Sequence, residues 1–173
     1  MKNHLFLFLF FLVDCVSCTG NQHDTFTLWR LPSQINTIGN SYVIRTGNNQ
    51  VIVVDGGMKE EEMYLRGFLA ALGNHVDCWF VSHPHNDHVG TLTKILLNPK
   101  DITIDRICQS TFSDILLKRE PDYEGYAREY YEAAGKSGVK IIEAEEGMIF
   151  TFGHTTCKIL GIKNEKITRN PYN

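Results

Sequence analysis

Apolar and polar positions recur with two different periods along this chain, and the switch between them divides it into strands and helices. Phe26-Thr27-Leu28-Trp29 alternates in twos and predicts a strand. Ser41 to Arg45 and Val51-Ile52-Val53-Val54 predict two more, joined by the hairpin signal Gly47-Asn48-Asn49. Val51 to Val54 has no polar face, so it reads as a central strand covered on both sides. Leu65, Phe68, Leu69 and Leu72 then fall at helical spacing and give one apolar face. Glu60, Glu61 and Glu62 open that helix as a solvated start at the positive end of its dipole, and Gly73-Asn74 stops it.

The same alternation of periods continues. Val76 to Val81 predicts a strand, Thr91 to Leu97 a short helix ending near Asn98-Pro99, and Ile102 to Ile107 a further strand. Asp122 to Gly138 is helical, with Tyr123, Tyr126 and Tyr130 on one side and Tyr131 adjacent. A stripe of this kind packs a core more often than it lines a cleft, though one of these rings at a cleft is the alternative. Val139 to Glu143, Met148 to Phe152 and Thr156 to Ile162 complete the strands, and Asn170 to Asn173 reads as a loop. Strands and helices in this order predict an α/β layered domain.

Between the fourth strand and its following helix lies Ser82-His83-Pro84-His85-Asn86-Asp87-His88-Val89-Gly90. Three imidazoles and a carboxylate fall within six residues, directly behind an apolar strand. His83 and His85 leave an extended segment on the same side, while Asp87 and His88 follow the turn and face a second point. Pro84 and Asn86 suit a turn, so a polar loop rich in histidine is the bland alternative. The donor types favour metal: His83 and His85 for one ion, Asp87 and His88 for another, with Asp87 also placed to orient an attacking water. Two ions roughly 3.5–4 Å apart are the usual hydrolytic geometry, and their shared water is a hydroxide near neutral pH. Zinc suits this donor set, and manganese is the alternative metal.

His-x-His-x-Asp-His after a buried strand resembles the signature of the metallo-β-lactamase fold superfamily. Ser82 and Gly90 on either side are similar to members that cleave phosphodiesters, including the extracellular hydrolase domain of DNA-uptake channels. The resemblance covers the chain from about Phe26 onward. It implies an αββα sandwich of which this chain supplies mainly the N-terminal half, with two zinc ions in the complete domain. It also implies that Asp55, in Asp55-Gly56-Gly57 after the central strand, stands behind a ligand histidine; a tight turn is the other reading of those residues. Members draw a third histidine, a bridging aspartate and a final histidine from later segments. His154, in Phe152-Gly153-His154-Thr155-Thr156, stands either as that third ligand or as an ordinary hairpin-turn residue. No Asp-and-His pair follows it, so the chain reads as a piece of a longer protein, with a degenerate member as the alternative.

Composition changes this picture little. The 173 residues carry a net charge of −3, with no basic excess to argue for nucleic acid, so a nucleic-acid substrate rests on the resemblance alone. The start of the chain says more about location. Lys2 precedes the apolar run Leu5 to Val13, too short for a stable membrane span but suited to a signal peptide. Residues 1–18 read as that signal, with Cys18 as a lipid-bearing N-terminus of lipoprotein type, 19–24 as a tether and 25–173 as the domain. Plain secretion or an uncleaved anchor are the alternatives. Cys78, Cys108 and Cys157 lack near neighbours and read as free and buried.

The expectation is therefore an exported hydrolase of a phosphodiester or small-molecule substrate, in the cell envelope or secreted. The alternatives are a lactam, lactone or thioester hydrolase of the same fold, and a non-catalytic envelope binding domain.

Overall fold

A computed structural model describes residues 25–163. The proposed signal, Cys18, the tether and the Asn170 to Asn173 loop lie outside the described residues. Six strands form the main sheet: β1 (Phe26–Arg30), β2 (Ser41–Thr46), β3 (Val51–Asp55), β5 (Cys78–Val81), β7 (Arg106–Gln109) and β8 (Lys140–Glu143), in the spatial order β1-β2-β3-β5-β7-β8. The first three pair antiparallel; β3, β5, β7 and β8 run parallel. Parallel neighbours need crossovers, supplied by α1 (Glu62–Ala71), α2 (Asn86–Leu97), and the pair α3 (Asp114–Arg119) and α4 (Pro121–Lys136). Two short strands, β4 (His75–Val76) and β6 (Thr103–Ile104), pair beside the sheet, and β9 (Ile149–Phe152) and β10 (Thr155–Lys158) form a hairpin.

The continuous apolar strands are explained by two covered faces. Val51, Val53, Trp79 and Ile107 point into a core shared with Leu65, Leu69, Leu92, Ile95 and Tyr130 from the helices. Ile52, Cys78 and Cys108 point the other way, against Phe150 and Phe152 of the hairpin. Arg106 pins that hairpin, its guanidinium 5.7 Å from the Phe150 ring centroid and 5.2 Å from that of Phe152. Burial pushes the Cys78 thiol up to about 12 and that of Cys108 to about 11, so both pack as small apolar groups.

Several expectations need correction. The strand expected over Val76 to Val81 breaks at Asp77, whose carboxylate accepts from Val51 N–H (2.8 Å) and the Gln50 amide (2.9 Å), tying the start of β3 to the chain entering β5. The strand expected over Ile102 to Ile107 likewise becomes β6 and β7. Helix α2 begins at Asn86 rather than Thr91, so Asp87 and His88 are helical and only Ser82 to His85 is loop. Glu61 is not a solvated helix start. It is 6% exposed and accepts from Gln34 N–H (2.8 Å) and Met58 N–H (2.9 Å), joining the segment after β1 to the turn after β3. Helix α3 was not expected, because six residues show no usable period.

Gly90 lets α2 lie directly on that turn. A Cβ there would sit 2.5 Å from Lys59 N and 3.0 Å from Met58 C, both backbone atoms that cannot swing aside. Gly67, on α1, has nothing within 4 Å of the same position. Gly67→Ala is therefore expected to stabilise by about 0.5–1 kcal/mol through helix propensity. Gly90→Ala is expected to destabilise by about 1–3 kcal/mol despite the same propensity gain. Urea unfolding of the two variants checks this; equal stabilisation in both would refute the close contact.

Candidate metal centre

Each motif residue is delivered by a fold element. Strand β5 ends at Val81, Ser82 to His85 crosses the carboxyl edge of the sheet, and the first turn of α2 carries Asp87 and His88. His85 caps that helix: its backbone is extended (φ −76°, ψ 154°) and its carbonyl accepts from His88 N–H (3.0 Å) and Val89 N–H (2.9 Å). The structure brings the three histidines together. The His83 ring centroid lies 4.4 Å from that of His85 and 3.8 Å from that of His88. Asp87 Oδ2 is 3.4 Å from His88 Nε2, and both residues are buried.

Hydrogen-bond partners settle which nitrogen of each ring is left for a ligand. Asp55, at the end of β3, is 4% exposed. Its carboxylate, an acceptor only, takes His88 Nδ1–H at 2.8 Å and Ser82 N–H at 2.9 Å. It also takes the Ser82 hydroxyl, 2.8 Å from Oδ2. With its proton spent there, Ser82 Oγ accepts from His83 Nδ1–H, 3.0 Å away. His85 donates Nε2–H to Glu120. The nitrogens without a proton are Nε2 of His83, Nδ1 of His85 and Nε2 of His88. The last faces Asp87 and the Asn40 amide, 3.3 Å away, a weak neutral donor that an ion would displace.

Electrostatics treat the two buried rings oppositely. Burial, then the neighbouring His88 and His85, push His83 down from 6.5 to about 4, so its lone pair is available at neutral pH. Burial works against the charge on His88 as well, but the hydrogen bond and charge of Asp55 outweigh it and raise its pKa. Three imidazoles, each anchored through one nitrogen, beside a buried carboxylate fit a zinc-type donor set. His83, His85, Asp87 and His88 are the residues that would hold it.

Other residues fall elsewhere. His154 lies in the exposed β9–β10 turn, and the adjacent Gly153 abuts the Asn48 side chain in the β2–β3 turn, at the opposite edge of the sheet from the motif. The fold does not bring His154 to the cluster. The tyrosine stripe divides: Tyr130 is fully buried, Tyr131 receives Phe112 N–H (2.8 Å), and Tyr123 stacks on His85. The sequence did not single out Asn40 or Glu120. Glu120 left one signal, a glutamate in the capping position of a helix where Ser, Thr, Asp or Asn is usual. A second cluster, His75, Asp77 and Asp105, has donor atoms within 4.8 Å of one another at the far edge of the sheet. A trough of about 430 Å³ opens beside His83, lined by Val54, Phe80, Cys108, Phe112 and Ile162.

Residues 36–104 match the family model described as Metallo-beta-lactamase superfamily. This chain carries a metallo-β-lactamase superfamily domain. Members of the superfamily are mostly metal-dependent hydrolases, typically with two metals. The "Beta-lactamase-like protein 2 homolog" of Caenorhabditis elegans is 31% identical over 121 residues, which are 67% of this chain and 37% of that protein. The chain thus spans little more than a third of the curated relative it matches. Among solved structures it is similar to BJP-1, a subclass B3 metallo-β-lactamase of Bradyrhizobium japonicum (22% identity, 69% of this chain and 44% of that one, TM-score 0.45). It is also similar to the metallo-β-lactamase fold protein YhfI from Bacillus subtilis (20% identity, 77% and 51%, TM-score 0.46).

In the metal-free superfamily domain the two histidines respond to pH with opposite signs. The folded state takes up the His83 proton less readily than the unfolded chain, so stability falls as pH drops from 6.5 toward about 4. The contribution of His88 is complete below 6.5 and is lost as pH rises through its raised folded value. Histidine NMR titration and urea midpoints across pH 4–8 check this; a His83 midpoint near 6.5 would contradict the burial described.

Proposed function

We propose that this domain belongs to a metal-dependent hydrolase in which His83, His85, Asp87 and His88 hold two divalent cations, zinc first and manganese as the alternative. The observation that carries this is the pattern of anchored rings: each histidine gives one N–H to a fixed acceptor, the three rings lie together, and His88 Nε2 stands 3.4 Å from the Asp87 carboxylate. When bound, such cations polarise the scissile group and bring the pKa of a coordinated water to about 7. The chain's own part is to hold the imidazoles oriented and to keep Asp87 buried where it can orient that water. No protein nucleophile is required.

The substrate class we assign is a phosphodiester, on the likeness of Ser82 to Gly90 to phosphodiester-cleaving members. The apolar trough beside His83 favours a second reading, hydrolysis of a lactam, lactone or thioester whose apolar part would lie there. Export through residues 1–18, with a lipid on Cys18 and a place in the cell envelope, belongs to the same proposal.

Metal analysis of the full-length protein is expected to give about two zinc ions per chain. Activity is then assayed on a bis-aryl phosphodiester, single-stranded DNA and a chromogenic lactam, with turnover lost in His85→Ala. A folded protein that takes up no metal would replace the enzyme with a non-catalytic binding domain. Turnover of the lactam alone would select the second substrate class.

A further inference from the structure

His85 is held from outside its own loop. Its backbone is fixed as the cap of α2, but a cap residue's side chain is free to rotate unless something else grips the ring. Two residues at the start of α4 do so. Glu120 accepts the Nε2 proton across 35 positions of sequence. Tyr123 stacks on the ring with centroids 3.9 Å apart and planes 12° from parallel. His83 meets the same ring edge-on, at 74°.

We propose that Glu120 and Tyr123 are positioning residues that lock His85 with Nδ1 turned toward His83 and His88. This rests on the metal-centre reading given above. Glu120 caps α4 by position, yet its side chain makes no capping bond to that helix. It is aimed at His85 instead. Its backbone is fixed from both sides: its N–H reaches Leu117 O (3.1 Å), its carbonyl accepts from Tyr123 N–H (3.0 Å) and Glu124 N–H (3.1 Å), and Pro121 follows at the first helical position. The carboxylate is thus carried on a rigid junction between α3 and α4. Its side chain is 46% exposed and that of His85 22% exposed, so the pair adds little to fold stability. A glutamate that neither caps its helix nor stabilises the fold, while selecting one nitrogen of a ligand histidine, acts through that histidine. Tyr123 supplies what one hydrogen bond cannot, a flat wall that stops the ring turning about its bond to Glu120.

The test uses zinc affinity, by competition with a chromophoric chelator, and NMR of the metal-free protein. Glu120→Ala is expected to weaken zinc binding tenfold or more, with Glu120→Gln recovering part of the loss through its amide oxygen. Tyr123→Leu is expected to weaken it less, and Tyr123→Phe to bind as the unsubstituted protein does. Melting temperatures of the metal-free variants stay together. Unchanged zinc affinity in Glu120→Ala overturns the proposal.

The metal-free readout separates this from the parent reading. The His85 ring protons, identified by their loss in His85→Ala, are expected upfield under the Tyr123 ring current. They move to an averaged position in Glu120→Ala and in Tyr123→Leu. Absence of that upfield shift overturns the bracket whether or not zinc binds. An upfield shift in a protein that takes no zinc upholds the bracket and removes the metal assignment.

Discussion

One buried carboxylate holds the site together. Asp55 ends the central strand β3 and accepts from the Ser82 backbone, the Ser82 hydroxyl and the His88 ring. Those three donors belong to the loop that leaves β5 and to the first turn of α2. A charge buried in this way is tolerated only because its lone pairs are filled. The same bonds therefore neutralise the cost of Asp55 and fix the position of everything that follows β5. Through Ser82 the constraint passes to His83, so two of the three motif rings are oriented from one residue.

Around that anchor the fold supplies rigidity at short range. Parallel strands ending on one edge collect loops there, which is where open α/β sheets place their ligands. Helix α2 is pressed on the turn after β3 through Gly90, and Glu61 ties that turn to the segment following β1. Asn40, from the same segment, reaches back to the start of α2 with its N–H on the Asp87 carbonyl (3.2 Å). Asp87 in the first helical turn is favoured by the helix dipole, which also disfavours extra positive charge nearby. His83 is thus held as a neutral ring, while His88 is set between two buried carboxylates.

Legibility in the sequence followed range. The motif lies within one short stretch, so its residue types and spacing raise the metal reading without any knowledge of the fold. The parallel core strands were legible because a strand covered on both faces must be continuously apolar, as Val51 to Val54 is. The place of Asp87 and His88 in a helix was not, because Pro84 and Asn86 resemble a turn and the helical period only becomes visible from Leu92 onward. Glu61 looked like one of three solvated acids, since nothing local distinguishes the one that meets Gln34 N–H. Glu120 is farther still from its partner, and its role appears only when α4 is set against the loop. His154 was open between ligand and hairpin-turn residue on sequence distance alone, and its hairpin carries it to the edge opposite the motif.

The account turns on whether fixed acceptors prepare these rings for metal. Asp55 has φ +57°, a conformation that asparagine adopts at least as readily as aspartate, so Asp55→Asn removes the charge without straining the chain. The direct measurement is zinc affinity of the full-length Asp55→Asn protein against the unsubstituted one, with circular dichroism to confirm the fold. The account predicts a loss of about 10–100-fold in a folded protein. Equal affinity would show that His83 and His88 find their places without Asp55.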